Sequence, residues 1–370
     1  MRPSRDETAV HILIAPDSFK GSATAAQAAA AIADGWRSVR PTDIVVTLPL
    51  ADGGEGSASA IAASTPGSLE IACPATGPDG RPIDASWLLL PDGTAVVELA
   101  AASGLPQMRE RDALGAQTAG FGQLLADAAT HPLVTRIIAT VGGSAATDGG
   151  TGALRALGAR FLDRSGNDLP LGGGSLKGVA GVDVSALADP PAAGVEVLTD
   201  VTAPLFGPRG AAAVFGPQKG ASAAEVAALD GALRQFAAVV GGNPEQPGAG
   251  AAGGAAFGLA TLWGATLVPG AQRIGTIVGL PAALTTADLV ITGEGSFDDQ
   301  STTGKVVGHL LEHSAAQRVW LVAGQITGAV PDRIEQSVAL DLLAGSSGAA
   351  MSGTAQWLRA AGAQLAGRIT

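Results

Sequence analysis

Short runs of apolar, mostly β-branched residues recur along this chain, and most of them stop in loops made of glycine and acid. The clearest are residues 11–15 (HILIA), 44–48 (IVVTL), 135–141 (TRIIATV), 288–292 (DLVIT) and 318–322 (RVWLV), with 339–343 (ALDLL) as a sixth. None alternates apolar with polar, which is the pattern of strands covered by helices on both faces. Between them lie segments rich in Ala and Leu. The first opens with Thr24-Ala-Ala-Gln27, a capping box that predicts a helix to about Val39. Others are expected after Ser57 and over Thr118–Ala129. Strand and helix in alternation predict an α/β fold with a largely parallel sheet.

Two stretches break the rhythm. Residues 75–103 read as a β-hairpin turning at Pro91-Asp92-Gly93. Residues 161–270 are loop-rich, with Gly172–Gly174 and Asn243-Pro244. We read both as a second α/β domain inserted into the first, which then holds 1–74, 104–160 and 271–370. A length of 370 residues accommodates two domains. A cleft between the two is the expected place for a small ligand.

Composition narrows the classes of partner. Apolar residues are 46% of the chain and charged residues 15%, enough apolar surface to rule out a disordered chain. The 53 glycines follow no three-residue period, which excludes collagen. With 4% aromatics and no Tyr, the core must be built from Ala, Val, Leu and Ile. A net charge of −11 without any Lys/Arg block argues against nucleic acid and anionic membranes. Cys73 is the single cysteine, so no intrachain disulfide or thiolate zinc cluster is expected. MRPSRDETAV carries acids and no apolar run, which predicts no signal peptide and a cytoplasmic location. No charge falls between Glu245 and Arg273. That segment is dominated by Gly and Ala and bounded by Pro247 and Pro269, so it predicts a buried loop and helix rather than a membrane span.

In a parallel sheet, ligands bind beyond the carboxyl ends of the strands, and here those ends are the loops of glycine and acid. The first supplies Asp17, Ser18 and Lys20; the second Asp52, Gly53, Gly54 and Glu55; the third Gly142, Gly143, Ser144 and Asp148. A later one supplies Glu294 and Asp298, followed by Gly304 and Lys305. Any one such loop is ordinary turn chemistry, but four on the same sheet edge form a pattern. Glycines let backbone N–H groups approach phosphate oxygens. An all-anionic rim would repel a phosphate, so the acids imply a divalent cation, most simply Mg²⁺. Lys20, Lys219 and Lys305 are placed to neutralise phosphate or a substrate carboxylate. The second domain adds Asp200, a candidate base for a hydroxyl nucleophile, and Arg209, whose fork suits a carboxylate.

Three other patterns carry less. Gly248-Ala-Gly250-Ala-Ala-Gly253 fits G-x-G-x-x-G but follows a polar loop, and no acid stands about 20 residues on. Neither a Walker loop nor a G-x-S-x-G elbow occurs. His309-Leu-Leu-Glu312-His313 matches the H-x-x-E-H of zinc proteases. Beside Val306, Val307, Leu310 and Leu311, both histidines lie on the flank of an apolar stripe, so a surface helix is expected.

Taken together, the loops resemble a family. IAPDSFKGSATA (14–25), PLADGGEGS (49–57), GGSAATDGGTGAL (142–154), TDVTAPLFGPRGAAAVFGPQKGA (199–221), PGAGAAGG (247–254) and ITGEGSFDDQSTTGK (291–305) are similar to the bacterial glycerate kinases that lack a Walker loop. Two departures touch no acid: Ala146-Thr147 stand where the family often has T-N, and Val306 where proline is usual. The resemblance implies two α/β domains, one flavodoxin-like, and ATP-dependent phosphorylation of D-glycerate with Mg²⁺, with 2-phosphoglycerate favoured over the 3-isomer. In that setting Asp200 or Asp148 is expected to orient the glycerate hydroxyl, with Lys20, Arg209 and Lys219 on anionic groups. Glu294 and Asp298 are the expected metal ligands. Asp17, Ser18, Asp52, Gly53, Gly54, Glu55, Gly142, Gly143, Ser144 and Lys305 are expected around substrate and nucleotide.

Overall fold

A computed structural model describes residues 9–302 and 305–369. Gly304, and the first eight residues that carry most of the leader reading, lie outside that range. Contacts divide the chain into two compact units: Met1–Asp52, Ser59–Thr65 and Ala271–Thr370 form the first, Gly53–Ala58 and Pro66–Gly270 the second.

The first unit is built on five strands, all parallel. Their spatial order is Ile334–Ala339, Arg318–Ile326, Leu289–Phe297, His11–Ile14, Ile44–Thr47. Counted in chain order this is 2-1-3-4-5, the flavodoxin arrangement. The helix Ala25–Val39 starts where its capping box predicts: the Gln27 N–H donates to Thr24 Oγ1 at 3.2 Å, and the Thr24 N–H to Gln27 Oε1 at 3.0 Å. Ala25, Ala28, Ala29, Ile32 and Trp36 form its buried stripe, at helical spacing. The helix Thr354–Ala366 crosses it nearly backbone to backbone. A Cβ on Gly35 would lie 1.9 Å from the Arg359 carbonyl oxygen, and one on Gly362 would lie 2.2 Å from that of Ile32. Only glycine permits that approach.

The sixth expected strand is misplaced by sequence. The strand is Ile334–Ala339, and Leu340–Ala344 is a short helix on which Leu342 is 81% exposed. Ile334–Ala339 lies at the sheet edge, where Glu335, Gln336 and Ser337 are tolerated. A search for uninterrupted apolar runs passes over such a strand.

The main sheet of the second unit has six strands in the order Thr266–Val268, Val195–Leu198, Arg136–Thr140, Thr94–Glu98, Ser86–Leu89, Leu69–Ala72. The first four are parallel and the last two are added antiparallel. The hairpin is present: Leu90 and Gly93 close its turn, with Gly93 at φ +83°. It is the antiparallel margin of a sheet rather than an excursion from one. The expected boundary therefore shifts, because Arg136–Thr140 pairs with Thr94–Glu98 and Val195–Leu198. Residues 104–160 belong to the second unit. A buried parallel strand looks the same in either sheet, so its sequence does not name its partner.

The second core gathers Trp87, Phe121, Ile137, Phe161, Phe236 and Phe257. In the uncharged stretch, Ala255–Leu262 is a helix with Ala255, Ala256, Phe257 and Leu259 buried, a buried loop and helix as expected. Among the described residues no helix is long and apolar enough to cross a membrane.

Candidate functional site

In the first unit the strand order reverses between His11–Ile14 and Leu289–Phe297. Open α/β sheets bind ligands outside the carboxyl ends at such a point. Asp17 follows the first of these strands, and its N–H donates to the Gly293 carbonyl at 2.8 Å. The Leu50 N–H donates to the Pro16 carbonyl at 2.9 Å, which draws the segment carrying Asp52 alongside. Glu294 stands on the second strand itself, in register with Ala323. A Cβ on Gly295 would lie 3.2 Å from the Lys20 nitrogen. Glycine there lets strand and loop run side by side.

Three carboxylates thus share one field. Burial, then Asp52 and Glu294, push Asp17 up to about 8, against a hydrogen bond from the Ser18 N–H at 2.6 Å. Glu294 is 9% exposed, and its Oε1 has no hydrogen-bond partner among the described residues. Burial raises its pKa, opposed by the Ser301 hydroxyl and Lys305, while Asp298 and Asp52 add to the rise. Asp298 accepts the Gln300 N–H at 2.9 Å and donates its own to Ser301 Oγ at 3.0 Å. Lys20 is exposed, and Lys305 stands half-buried at the N-cap of the helix Val306–His313. The first unit therefore assembles Asp17, Ser18, Lys20, Asp52, Glu294, Asp298 and Lys305.

The four loops do not share one sheet edge. The third belongs to the second unit, where it meets the glycines of the second. The Gly142 N–H donates to the Gly53 carbonyl at 3.1 Å, and a Cβ on Gly142 would lie 2.4 Å from the Gly54 Cα. Gly143 lies over Glu55, and Ser144 is buried in a turn with Ala146.

Behind this loop, Asp148 is wholly buried. Its Oδ2 accepts from the Thr118 N–H (2.9 Å), the Thr118 hydroxyl (2.8 Å) and the Gly152 N–H (3.2 Å); its Oδ1 accepts from the Gly150 N–H (3.0 Å). Burial raises its pKa in spite of these donors. A carboxylate so fully engaged ties its loop to Thr118. Lys219 is engaged likewise. Its ammonium is buried and donates to the Ala146 carbonyl and to Thr147 Oγ1. Burial lowers it to about 8, with Asp148 pulling the other way.

Asp200 is half-buried beyond the strand Val195–Leu198, and its Oδ1 accepts the Gly270 N–H at 2.8 Å. Arg209 is exposed.

Sequence reasoning missed Glu98. It ends the strand Thr94–Glu98, and its two oxygens accept the N–H groups of Gly56 (2.9 Å) and Ala58 (3.1 Å). Burial raises its pKa, against those two donors, with Glu55 adding to the rise. These donors head the helix Ser57–Ser64, so the second loop does not offer them to a phosphate. The signal was available: an acid closing the apolar run Ala95-Val96-Val97.

His309, Glu312 and His313 lie on the helix Val306–His313 with Val306, Val307 and Leu310 buried, as expected of a surface helix. Burial, with the neighbouring His313 ring, holds His309 below the ordinary imidazole range.

The family model described as "Glycerate kinase family" matches residues 12–370. Glycerate 2-kinase of Escherichia coli (strain K12) is 43% identical over 305 residues, covering 80% of this chain and 79% of that one. Glycerate kinase of Bacillus subtilis (strain 168) is 44% identical over 304 residues, with the same coverage. The crystal structure of a chain described as a glycerate kinase 2, from Salmonella typhimurium LT2, superposes with a TM-score of 0.80 at 35% identity. It covers 97% of this chain and 98% of that one. A match along nearly the whole length places this chain in the glycerate kinase family.

Proposed function

We propose that this chain transfers the γ-phosphoryl group of ATP to D-glycerate with Mg²⁺, giving 2-phosphoglycerate in the cytoplasm. One observation carries the nucleotide half of this reading: Asp17 and Glu294 each feel Asp52 and are raised by burial, and the buried Glu294 Oε1 lacks a partner among the described residues. An all-oxygen donor set of this kind fits a hard divalent cation, and Asp17, Asp52 and Glu294 are the residues to hold it, with Asp298 at their edge. When bound, the cation supplies neutralisation of phosphate charge. Lys20 and Lys305 are suited to hold phosphate oxygens as point charges, with Ser18 as a hydroxyl partner.

Phosphoryl transfer asks a protein for positioning more than for covalent chemistry. Asp200, kept in place by the Gly270 N–H, is the carboxylate we assign to orient the glycerate hydroxyl and take its proton. Arg209 is assigned to the glycerate carboxylate. Asp148 and Lys219 hold the loop 142–150 behind them. The choice of the 2-hydroxyl is supported by the relative named glycerate 2-kinase. The decisive experiment is ³¹P and ¹³C NMR of the product formed from ATP and D-glycerate, with and without Mg²⁺. Metal-dependent ADP release with phosphate on C2 is expected. Phosphate on C3 would correct the regiochemistry, and no transfer at all would sink the proposal.

A further inference from the structure

The helix Val306–His313 carries a group of side chains that the proposed reaction does not use. His309, Glu312 and His313 stand at i, i+3 and i+4, a spacing that sets them on one face. One ligand atom from each lies within 4.8 Å of the others. The two imidazole rings are 4.1 Å apart between centroids. Glu312 and His313 are exposed and His309 half-buried.

The His313 tautomer is set locally. Its Nδ1 lies 2.8 Å from the His309 carbonyl oxygen. A carbonyl only accepts, so Nδ1 carries a proton, and in the neutral ring Nε2 is the nitrogen with the lone pair. Metal-bound histidines make this same outer contact, one nitrogen on the ion and the other donating to a carbonyl. Here the contact is already formed.

We infer that His309, Glu312 and His313 form a binding site for a borderline transition-metal ion such as Zn²⁺, Ni²⁺ or Cu²⁺. Two imidazoles and a carboxylate suit these ions and disfavour Mg²⁺, which selects oxygen ligands. The site is separate in chemistry from the carboxylate cluster, and it is tied to it by backbone. The Gly308 N–H donates to the Ser301 carbonyl at 3.1 Å, and the Ser301 hydroxyl faces Glu294. The helix that would hold the ion is thereby linked through Gly308 and Ser301 to Glu294.

The test uses the whole chain without an affinity tag, in excess Mg²⁺ so that the carboxylate cluster is saturated. One equivalent of Cu²⁺ is expected to give an EPR spectrum with coupling to two imidazole nitrogens. Ni²⁺ is expected to raise Tm, with an increase that follows the logarithm of its free concentration. His313→Ala, an exposed position whose loss leaves the core intact, is expected to reduce the coupling to one nitrogen. In His309→Gln/His313→Gln both responses should vanish, while the circular dichroism and the Tm in EDTA remain those of the parent. No bound Cu²⁺ in the parent, or unchanged two-nitrogen coupling in either variant, would overturn the site.

Discussion

At Asp17 the fold works against the charge of its own side chain. The carboxyl ordinarily ionises at 3.8 and here holds its proton to about 8, because burial and two neighbouring acids disfavour the anion. In the window between those values the folded chain binds a proton that the unfolded chain has lost, so folding becomes less favourable as pH rises through it. In metal-free protein, Tm is expected to fall between roughly pH 5 and 8, and Asp17→Asn to flatten the slope. Mg²⁺ should expel the proton. Calorimetry at pH 7 in buffers of different ionisation enthalpy would register that release, and equal heats in both buffers would mean Asp17 does not hold the ion. Asp200 poses the complementary question. If it takes the hydroxyl proton, Asp200→Asn lowers kcat by roughly 10²–10⁴-fold, whereas a change confined to KM assigns it to binding alone. Both carboxylates could be picked from the sequence as acids beyond strands. What could not be read was how each is paired. Asp148 looks like its neighbours in sequence, and only the four donors around it, two of them from Thr118, show how it is engaged.

Among the elements, the helix Ser57–Ser64 shows how a plausible sequence reading can be half right. The loop that precedes it has the glycines of an anion cradle, and a helix does follow. The N–H groups of Gly56 and Ala58 at its start, however, are taken by a carboxylate 42 and 40 positions further on. A long-range cap of this kind leaves no local spacing to find, unlike the Thr24–Gln27 box, whose partners are three residues apart and were legible at once. Glu98→Ala removes the acceptor and leaves the Gly56 and Ala58 donors unmatched. The expected cost is about 1.5–3 kcal/mol, a fall in Tm of roughly 2–4 °C per kcal/mol for a unit of this size. If Glu98 instead served a ligand, Tm would hold and KM would rise. The strand Ile334–Ala339 was missed for the opposite reason. Its polar residues are acceptable at a sheet edge, and apolar continuity is a guide only to strands covered on both faces.

On the scale of the whole molecule, fold class was legible because it rests on local pattern, while the partition into sheets was not, because it rests on pairing. The central parallel strands of both sheets are similar apolar runs, so the run 135–141 carried no sign of which it joins. The pairing also separates the two units in how they can form. The second runs almost unbroken through Pro66–Gly270, and its central strands Thr94–Glu98 and Arg136–Thr140 are neighbours in the chain as well as in the sheet. The first unit can close only when His11–Ile14 meets Leu289–Phe297, across the whole of the second. Contacts of long sequence separation are slow to form, since loop-closure entropy must be overcome before they contribute. Large chains fold unit by unit. In refolding followed by pulsed hydrogen exchange, the amides of Ile137–Thr140 are therefore expected to gain protection before those of Ile12–Ile14. Simultaneous protection, or the reverse order, would show that the long-range pairing nucleates folding and that the second unit depends on the first.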